Sequence, residues 1–506
     1  MKKQNKNILV TFFRFLLYVM PLVLCFSYYP LIKLGENETM YFELSLPLIW
    51  LMMFDLVGFI LVVRKYREKL FKMILGSIWW WMFPFFVSFS AIWSLNPTRA
   101  ILTVGLMWIL VFAATFMYLL RECFDRDFWR VFLRWFFGSA LLICVWCVIQ
   151  CILDVNGVSQ DITLLCDGCT SQMFGFPHPN GFAIEPQFMG NLLLAPSIVS
   201  LYFYLNKKNK KYLILFAIFA AALFLTMSRG AIYALVVGIC FLFAFLYFSA
   251  RKTIRKKVCF SILKSIGIFV VAFLFALNLQ GILAAASPTS DTYKDGVAKV
   301  LNQLSLGVID IRSGDSTKTG ESEEKDAVRA GDLGNSTPVE NSDKAVENSE
   351  TDQGNNANGN EAVFDGYVAE STDTRVRLFN AALTVWKKDF KTMMVGVGIG
   401  GAGQALYDNG LSPAPREIVQ NEYASLLLET GVIGILLFGL LIITLVRAVL
   451  KTKMAGPILG LLVAYGVSLL FFSGLPNALQ IVLLSGVLIY LSTTSPSTGS
   501  SLSEEA

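Results

Sequence analysis

Two arginines in this sequence stand beside apolar segments and could bind an anion. Arg229 ends the run Leu-Thr-Met-Ser-Arg between two long apolar segments, and Arg375 precedes a segment of helical periodicity together with Asp373 and Arg377. A guanidinium stays charged at every relevant pH and can bind a phosphate through two parallel hydrogen bonds, which suits a diphosphate. The alternatives are an arginine among lipid headgroups for Arg229 and a solvated helix face for Arg377.

A run of polar residues precedes another apolar segment in the last fifth of the chain. It consists of Gln420, Asn421, Glu422 and Tyr423. Polar groups at the start of a helix that enters a membrane can meet the positive end of the helix dipole and any anion held there. Capping of the helix start is the alternative interpretation.

The only histidine, His178, lies in a proline-rich segment that also contains Asn180 and Glu185. A single histidine cannot form a histidine-based metal cluster, and we expect no metal site. His178 could act as a general base, whereas Pro177 and Pro179 on either side also fit a rigid turn with a structural histidine.

These residues are embedded in a strongly apolar chain. Of its 506 residues, 55% are hydrophobic and only 16% are charged, with a mean hydropathy of +0.59. A soluble globular protein carries roughly 25% charged residues, so the composition indicates a polytopic membrane protein. The net charge of +5 comes from basic residues next to the ends of apolar runs, where such residues orient helices in a bilayer. We therefore expect no nucleic-acid partner.

Uncharged runs of about twenty residues, the length that crosses a hydrocarbon core of about 30 Å as a helix, recur along the chain. They predict an all-α polytopic integral membrane protein with about twelve membrane-spanning helices. The predicted spans lie near 8–31, 46–63, 73–93, 100–120, 134–153, 187–205, 212–227, 231–249, 260–283, 432–446, 455–473 and 477–492. Connections rich and poor in lysine and arginine alternate, which predicts that both termini are cytoplasmic.

The predicted spans divide the chain into nine spans within 1–283, an extracytoplasmic loop at 284–431, three spans within 432–492 and a cytoplasmic tail at 493–506. Within the loop, residues 313–362 are too polar to bury enough surface to offset their chain entropy, and we expect a disordered insertion. The structured, catalytic part is expected at 371–431. The glycine-rich segment 395–403 lacks the strand and helix of a nucleotide loop and predicts a flexible approach to the membrane.

In order and spacing, these motifs resemble the O-antigen ligase and polymerase family, membrane glycosyltransferases that act on undecaprenyl-diphosphate-linked glycans outside the cytoplasmic membrane. In that family a helix ends in a Thr-x-Ser-Arg-Gly type segment, matched by residues 226–230. An arginine then precedes a helix and a Gly-x-Gly-x-Gly segment, matched by Arg375 and residues 396–400. A His-Asn type pair and a Gly-x-x-Gly segment follow, matched by residues 420–421 and 431–434.

The resemblance implies a GT-C-like glycosyltransferase with no cofactor and no metal, in which arginines stabilise the leaving diphosphate. Ligases of the family have a histidine where this chain has Gln420, whose amide cannot take up a proton. Another group would then serve as base, or catalysis would depend mainly on positioning and leaving-group stabilisation. The implied catalytic residues, with three candidate bases last, are Arg229, Arg375, Gln420, Glu422, Glu185 and His178. The implied substrate-binding residues are Ser228, Arg377, Asn180, Asn421 and Tyr423.

Residues 178–186 look more like repeat-unit polymerases than ligases, so the resemblance implies a Wzy-type polysaccharide polymerase. It would join undecaprenyl-diphosphate-linked donor and acceptor glycans into a surface polysaccharide at the outer face of the bacterial cytoplasmic membrane. Besides membrane lipid, a flippase and a chain-length regulator are further candidate partners. One alternative is a ligase that transfers finished glycan to lipid or protein. The other is a lipid-linked glycan flippase or secondary transporter, although such transporters usually carry their long connection in the middle, on the cytoplasmic side.

Overall fold

The computed structural model describes part of the chain. The described residues are 8–26, 30–37, 40–76, 78–124, 126–156, 158, 172–173, 176–183, 186–253, 255–286, 292–305, 373–415, 417–452 and 454–471. Four of the sequence predictions lie outside these ranges: the disordered insertion at 313–362, the last span at 477–492, the tail at 493–506 and the role of Glu185.

The described residues are almost entirely helical. The helices are α1 (Ile8–Cys25), α2 (Leu46–Lys65), α3 (Arg67–Gly76), α4 (Ile78–Ser90), α5 (Pro97–Leu119), α6 (Arg126–Val155), α7 (Pro186–Lys207), α8 (Lys210–Leu225), α9 (Arg229–Ser249), α10 (Arg255–Ala286), α11 (Tyr293–Leu304), α12 (373–386), α13 (Phe390–Val395), α14 (Ala402–Asp408), α15 (Glu422–Leu450) and α16 (Ala455–Ser468). Two antiparallel hairpins also occur, β1 (Pro30–Asn37) with β2 (Met40–Ser45) and β3 (Gln172–Met173) with β4 (Phe176–Pro177).

The prediction of a helical polytopic membrane protein is confirmed. Within the described ranges, eight helices are long and apolar enough to cross a membrane: α1, α2, α5, α6, α7, α9, α10 and α15. Two shorter apolar helices, α4 with the turn that follows it and α16, add to them. A helix occupies every predicted span that falls inside the described ranges, whereas the total of about twelve crossings stays a prediction.

Helix α7 lies at the centre of the helix layer. All of its residues from Phe188 to Leu205 are buried, and it packs against α8, α9 and α16. Helices α9 and α16 approach each other closely because Gly238 faces Ala464 and the carbonyl of Gly460. Small residues at such crossings let helix backbones come together where hydrocarbon provides no hydrophobic driving force.

A second, smaller core joins the helices of the predicted catalytic loop to the first turns of α15. It consists of Leu378, Ala381, Ala382, Val385, Ala402, Ala405, Leu406, Val419, Ala424 and Leu428. The turn between α12 and α13 is fixed by Asp389, which accepts hydrogen bonds from the backbone N–H and the hydroxyl of Thr392, both at 2.8 Å. The bond from the backbone N–H is the main reason that the pKa of Asp389 lies below its usual value.

Helix α15 is broken at Gly431, whose backbone is non-helical with φ 64°. Carbonyl groups just before such a break have no partner one turn further along the helix. The glycine loop, residues 396–401, provides the missing donors: the N–H of Val397 donates to the carbonyl of Leu428 and the N–H of Gly398 donates to the carbonyl of Glu429, both at 3.0 Å. The loop and the break therefore form one structural unit.

The glycine loop is also bonded to the junction between α4 and α5. The hydroxyl of Ser94 donates to the carbonyl of Ile399 at 2.8 Å, and the hydroxyl oxygen of Ser90 accepts from the N–H of Ile399 at 3.2 Å. The segment predicted as a flexible approach to the membrane is thus held by hydrogen bonds on two sides. Gly398, at φ 90°, has the backbone of Ser94 where a Cβ would lie.

We predict that Gly431→Ala destabilises the protein. A residue with a side chain in the left-handed region costs about 1–2 kcal/mol, and a Cβ at this position would lie 2.3 Å from the carbonyl oxygen of Met394. The thermal unfolding midpoint of the purified protein in detergent should fall by several degrees.

Gly439→Ala in the same helix is the matched control, because the space around Gly439 is open to 4 Å. Alanine favours a helix by about 1 kcal/mol over glycine, so its midpoint should be equal to or above that of the unchanged protein. Equal midpoints for the two variants would contradict the proposed role of the break.

Candidate functional site

The amino termini of α7, α9 and α15 meet at the carboxyl-terminal end of α16. The side chain of Gln187 in α7 donates to the carbonyl of Phe471 at 2.8 Å, and the N–H of Glu422 in α15 donates to the carbonyl of Leu469 at 3.0 Å. A Cβ on Gly230 in α9 would lie 3.0 Å from Cβ of Phe471. The segment 469–471, here called the bridging segment, therefore joins three helix starts that lie far apart in the sequence.

This convergence makes the region favourable for an anion. Each helix amino terminus carries a partial positive charge of about half an elementary charge, and three of them lie around the bridging segment. The carbonyls that end α16 carry the opposite sign, but hydrogen bonds satisfy them, including one from Nδ2 of Asn421 to Leu470 at 3.1 Å. Three positive helix ends therefore lie around one negative helix end.

The turn between α8 and α9 places Arg229 at the first position of α9. Met227 in this turn has φ 53°, in the left-handed region, which is uncommon for a residue with a side chain and allows a sharp reversal. Ser228 precedes the helix, and its side chain does not cap it. Ser228 and Arg229 are buried, at 8% and 9% exposure, so the guanidinium sits in the protein at the positive end of α9 rather than in open solvent.

Helix α7 packs directly on this turn through Gly190. A Cβ on Gly190 would lie 2.7 Å from Cβ of Ala231 and 3.2 Å from Cβ of Ser228. Glycine is therefore required for α7 to approach Arg229 this closely. The contact also brings the start of α7 to the same place as the start of α9.

Arg375 and Gln420 are brought together across 45 positions of sequence. Nε of Arg375 donates to Oε1 of Gln420 at 2.8 Å. An amide oxygen in this contact orients a guanidinium but cannot take up a proton. Gln420, expected as a catalytic residue in the position of the family histidine, thus accepts the hydrogen bond from Nε of Arg375. The guanidinium has further donors at Nη1 and Nη2.

Asn421 and Tyr423, predicted as substrate-binding residues, make hydrogen bonds that hold the start of α15. Oδ1 of Asn421 accepts from the N–H of Ala424 at 3.0 Å and so caps α15. The hydroxyl of Tyr423 donates to the carbonyl of Gly466 in α16 at 2.8 Å. The capping alternative for Asn421 agrees with this geometry, and substrate binding by either residue stays a prediction.

The histidine segment is packed against α6. Asn180 is fully buried, and its Oδ1 accepts from Nε2 of Gln150 at 3.0 Å. The N–H of Gly181 donates to Oε1 of the same glutamine at 2.9 Å, and His178 is 4% exposed. These contacts agree with the alternative of a rigid turn and place Asn180 within the packed protein.

Two further findings concern the predicted site. Arg377 is exposed on α12, as expected for a solvated helix face.

Within the described ranges, no three histidine, cysteine, aspartate or glutamate side chains are grouped so that they could hold a metal ion.

Sequence reasoning did not identify Gln187, Gln150 or the bridging segment. The bridging segment acts through backbone carbonyls, which every residue has. Its role therefore cannot be predicted from its residue types. Gln187 and Gln150 are amides near apolar runs, and such a position alone does not distinguish them from other interfacial amides.

A model of the family described as O-antigen ligase matches residues 213–439. This part of the chain, somewhat less than half of it, is similar to that family. The predicted resemblance is thereby confirmed, and it covers Arg229, Arg375 and Gln420 but not His178. No curated protein matches the chain. The family comprises membrane enzymes that transfer glycans, which supports a glycosyltransferase role.

We predict that Gln420→Ala lowers glycan transfer because Arg375 loses the group that orients it. A hydrogen bond to a charged group contributes about 1.5–3 kcal/mol, which corresponds to about 10- to 100-fold in rate. Gln420→Glu keeps an oxygen acceptor and should retain more activity. Surface glycan per cell, normalised to the amount of protein in the membrane, measures the effect.

Gln404→Ala is the matched control, because Gln404 in α14 makes its hydrogen bond to exposed Asp408. It should leave glycan transfer unchanged. Equal activities of the Gln404 and Gln420 variants would show that the contact with Arg375 has no functional role.

Proposed function

We propose that this protein is a metal-independent glycosyltransferase that polymerises undecaprenyl-diphosphate-linked oligosaccharide repeat units into a surface polysaccharide. The reaction takes place at the outer face of the bacterial cytoplasmic membrane. The observation that carries the proposal is the position of Arg229, buried at the start of α9 beside the bridging segment, within the residues that match the O-antigen ligase model. A lipid diphosphate is the anion that such a site in a membrane enzyme of this family would hold.

In the proposed reaction, an acceptor hydroxyl oxygen attacks the anomeric carbon of the donor sugar. The bond from that carbon to the diphosphate oxygen breaks, and its electron pair leaves with undecaprenyl diphosphate. Arg229 and the positive amino terminus of α9 stabilise the charge that develops on the leaving group. Arg375, oriented by Gln420, provides the second cation.

The acceptor proton goes to a carboxylate. Glu422 is the base that we favour, because it starts α15 two residues after Gln420 and lines a solvent-open cavity. His178 is less suited, since it is 4% exposed in a turn packed on α6. Carboxylates are common general bases in enzymes.

Gln420 supports the proposed polymerase over a ligase that transfers finished glycan to lipid or protein. A ligase of this family would have a histidine there, whereas an amide bonded to an arginine has a positioning role. A flippase or secondary transporter is the less favoured alternative, because the family match is to glycan-transferring enzymes. A flippase and a chain-length regulator remain proposed partners of the polymerase.

We predict that Arg229→Ala and Arg375→Ala each abolish long glycan chains without loss of the protein from the membrane. Removing one donor that stabilises a developing anion typically costs about 10²- to 10³-fold in rate. Lys387→Ala, an exposed cation just after α12, is the control and should give normal chains. A glycan profile that resolves chain length and lipid-linked intermediates checks all three variants.

The intermediates separate the candidate functions. Single repeat units exposed on the lipid carrier support a polymerase, whereas long chains left on the carrier indicate a ligase. Single units that accumulate inside the cell indicate a transporter. Normal chain lengths in both arginine variants would overturn the assignment.

A further inference from the structure

A cavity lies between the start of α5, the glycine loop and the first turns of α15. Together with the open solvent at its mouth, the space amounts to about 560 Å³. Six polar side chains line it: Arg99, Thr103, Glu417, Glu422, Ser425 and Glu429. None of these except Glu422 has a role in the donor site described above.

The charges of the cavity favour a ligand rich in hydroxyl groups. Among the described residues that line it, carboxyl groups outnumber the guanidinium three to one, which disfavours a diphosphate or another anion. Carboxylates accept hydrogen bonds from hydroxyl or amino groups, Arg99 donates them, and Thr103 and Ser425 can do both. A neutral sugar or an amino sugar fits this set of groups.

The walls of the cavity are held in place by the backbone. Oδ1 of Asn96 caps α5 by accepting from the N–H of Arg99 at 3.1 Å. The N–H of Ala402 points to Oε1 of Glu429 at 3.4 Å, and a Cβ on Gly400 would lie 3.0 Å from the carbonyl carbon of Arg99. Polar groups fixed in this way bind a ligand at a lower cost in entropy than mobile ones.

The cavity is continuous with the arginine site along the chain. Val419 and Glu422 line it, and between them lies Gln420, which is bonded to Arg375. Because successive Cα atoms are about 3.8 Å apart, Gln420 is at most about 8 Å from either lining residue. The cavity and the arginine site therefore share the segment 419–422.

We propose that this cavity is the acceptor subsite and binds the non-anionic sugar whose hydroxyl attacks the donor. The inference rests on the proposed function and assigns the acceptor to a place separate from Arg229. The hydroxyl proton moves to the carboxylate of Glu422 at the edge of the cavity. The oxygen bonds to the anomeric carbon as the carbon–diphosphate bond breaks, and the diphosphate leaves with the electron pair.

The test fills the cavity from two different helices with Ser425→Leu and Thr103→Leu. Thr444→Leu, at an exposed threonine of α15, is the control. The purified full-length protein is given lipid-linked repeat unit as donor and, as acceptor, the lipid-free repeat oligosaccharide released from the cells' own polysaccharide. Each cavity variant should raise the apparent KM for this acceptor at least about tenfold, equivalent to about 1.4 kcal/mol, and leave the Kd for undecaprenyl diphosphate unchanged.

An acceptor KM within twofold of the unchanged protein in both cavity variants would overturn the inference. So would a weaker affinity for undecaprenyl diphosphate in these variants, because the cavity would then belong to the donor. The Arg229→Ala variant shows whether only the acceptor subsite is wrong or the proposed function as a whole. If it abolishes undecaprenyl diphosphate binding while the cavity variants behave normally, only the acceptor subsite is wrong, whereas normal transfer by Arg229→Ala rejects the proposed function itself.

Discussion

The break in α15 at Gly431 is the constraint on which the rest of the site depends. In an apolar layer a backbone carbonyl without a donor costs several kcal/mol, so a broken helix there needs donors from elsewhere. The glycine loop supplies them to Leu428 and Glu429, and it can do so only because glycine allows its backbone to pass in van der Waals contact with α15 and α5. This packing in turn forms one wall of the cavity.

The second organising feature is the meeting of three helix starts around the end of α16. Each start brings a partial positive charge, and α9 adds the buried guanidinium of Arg229. The same backbone contacts bring α15, and with it Gln420 and Glu422, to the region of α9. Within the segment 419–422, Gln420 bonds to Arg375, and Val419 and Glu422 line the cavity.

Several elements of this site could be predicted from the sequence. Arg229, Arg375 and Gln420 were identified from the family pattern, and the helical periodicity after Arg375 predicted α12, whose Leu378 is buried in the smaller core. The role of Gln420 could not be predicted, because the residue type alone does not show that its partner is Arg375. The segment 395–403 was expected to be flexible, since glycine content indicates freedom of the backbone and not the close contact that uses it.

The apolar segments and their lengths are enough to predict a helical membrane protein and the positions of its helices, because the match between an apolar segment and the hydrocarbon core is a local property. Which helix ends meet depends instead on packing between segments that are distant in the sequence. The bond from Glu422 to Leu469 and the bond from Gln187 to Phe471 use backbone carbonyls, which are identical in every residue and so carry no signal in the sequence. The cavity beside Gln420 exists for the same reason: its walls come from α5, the glycine loop and α15, which only packing brings together.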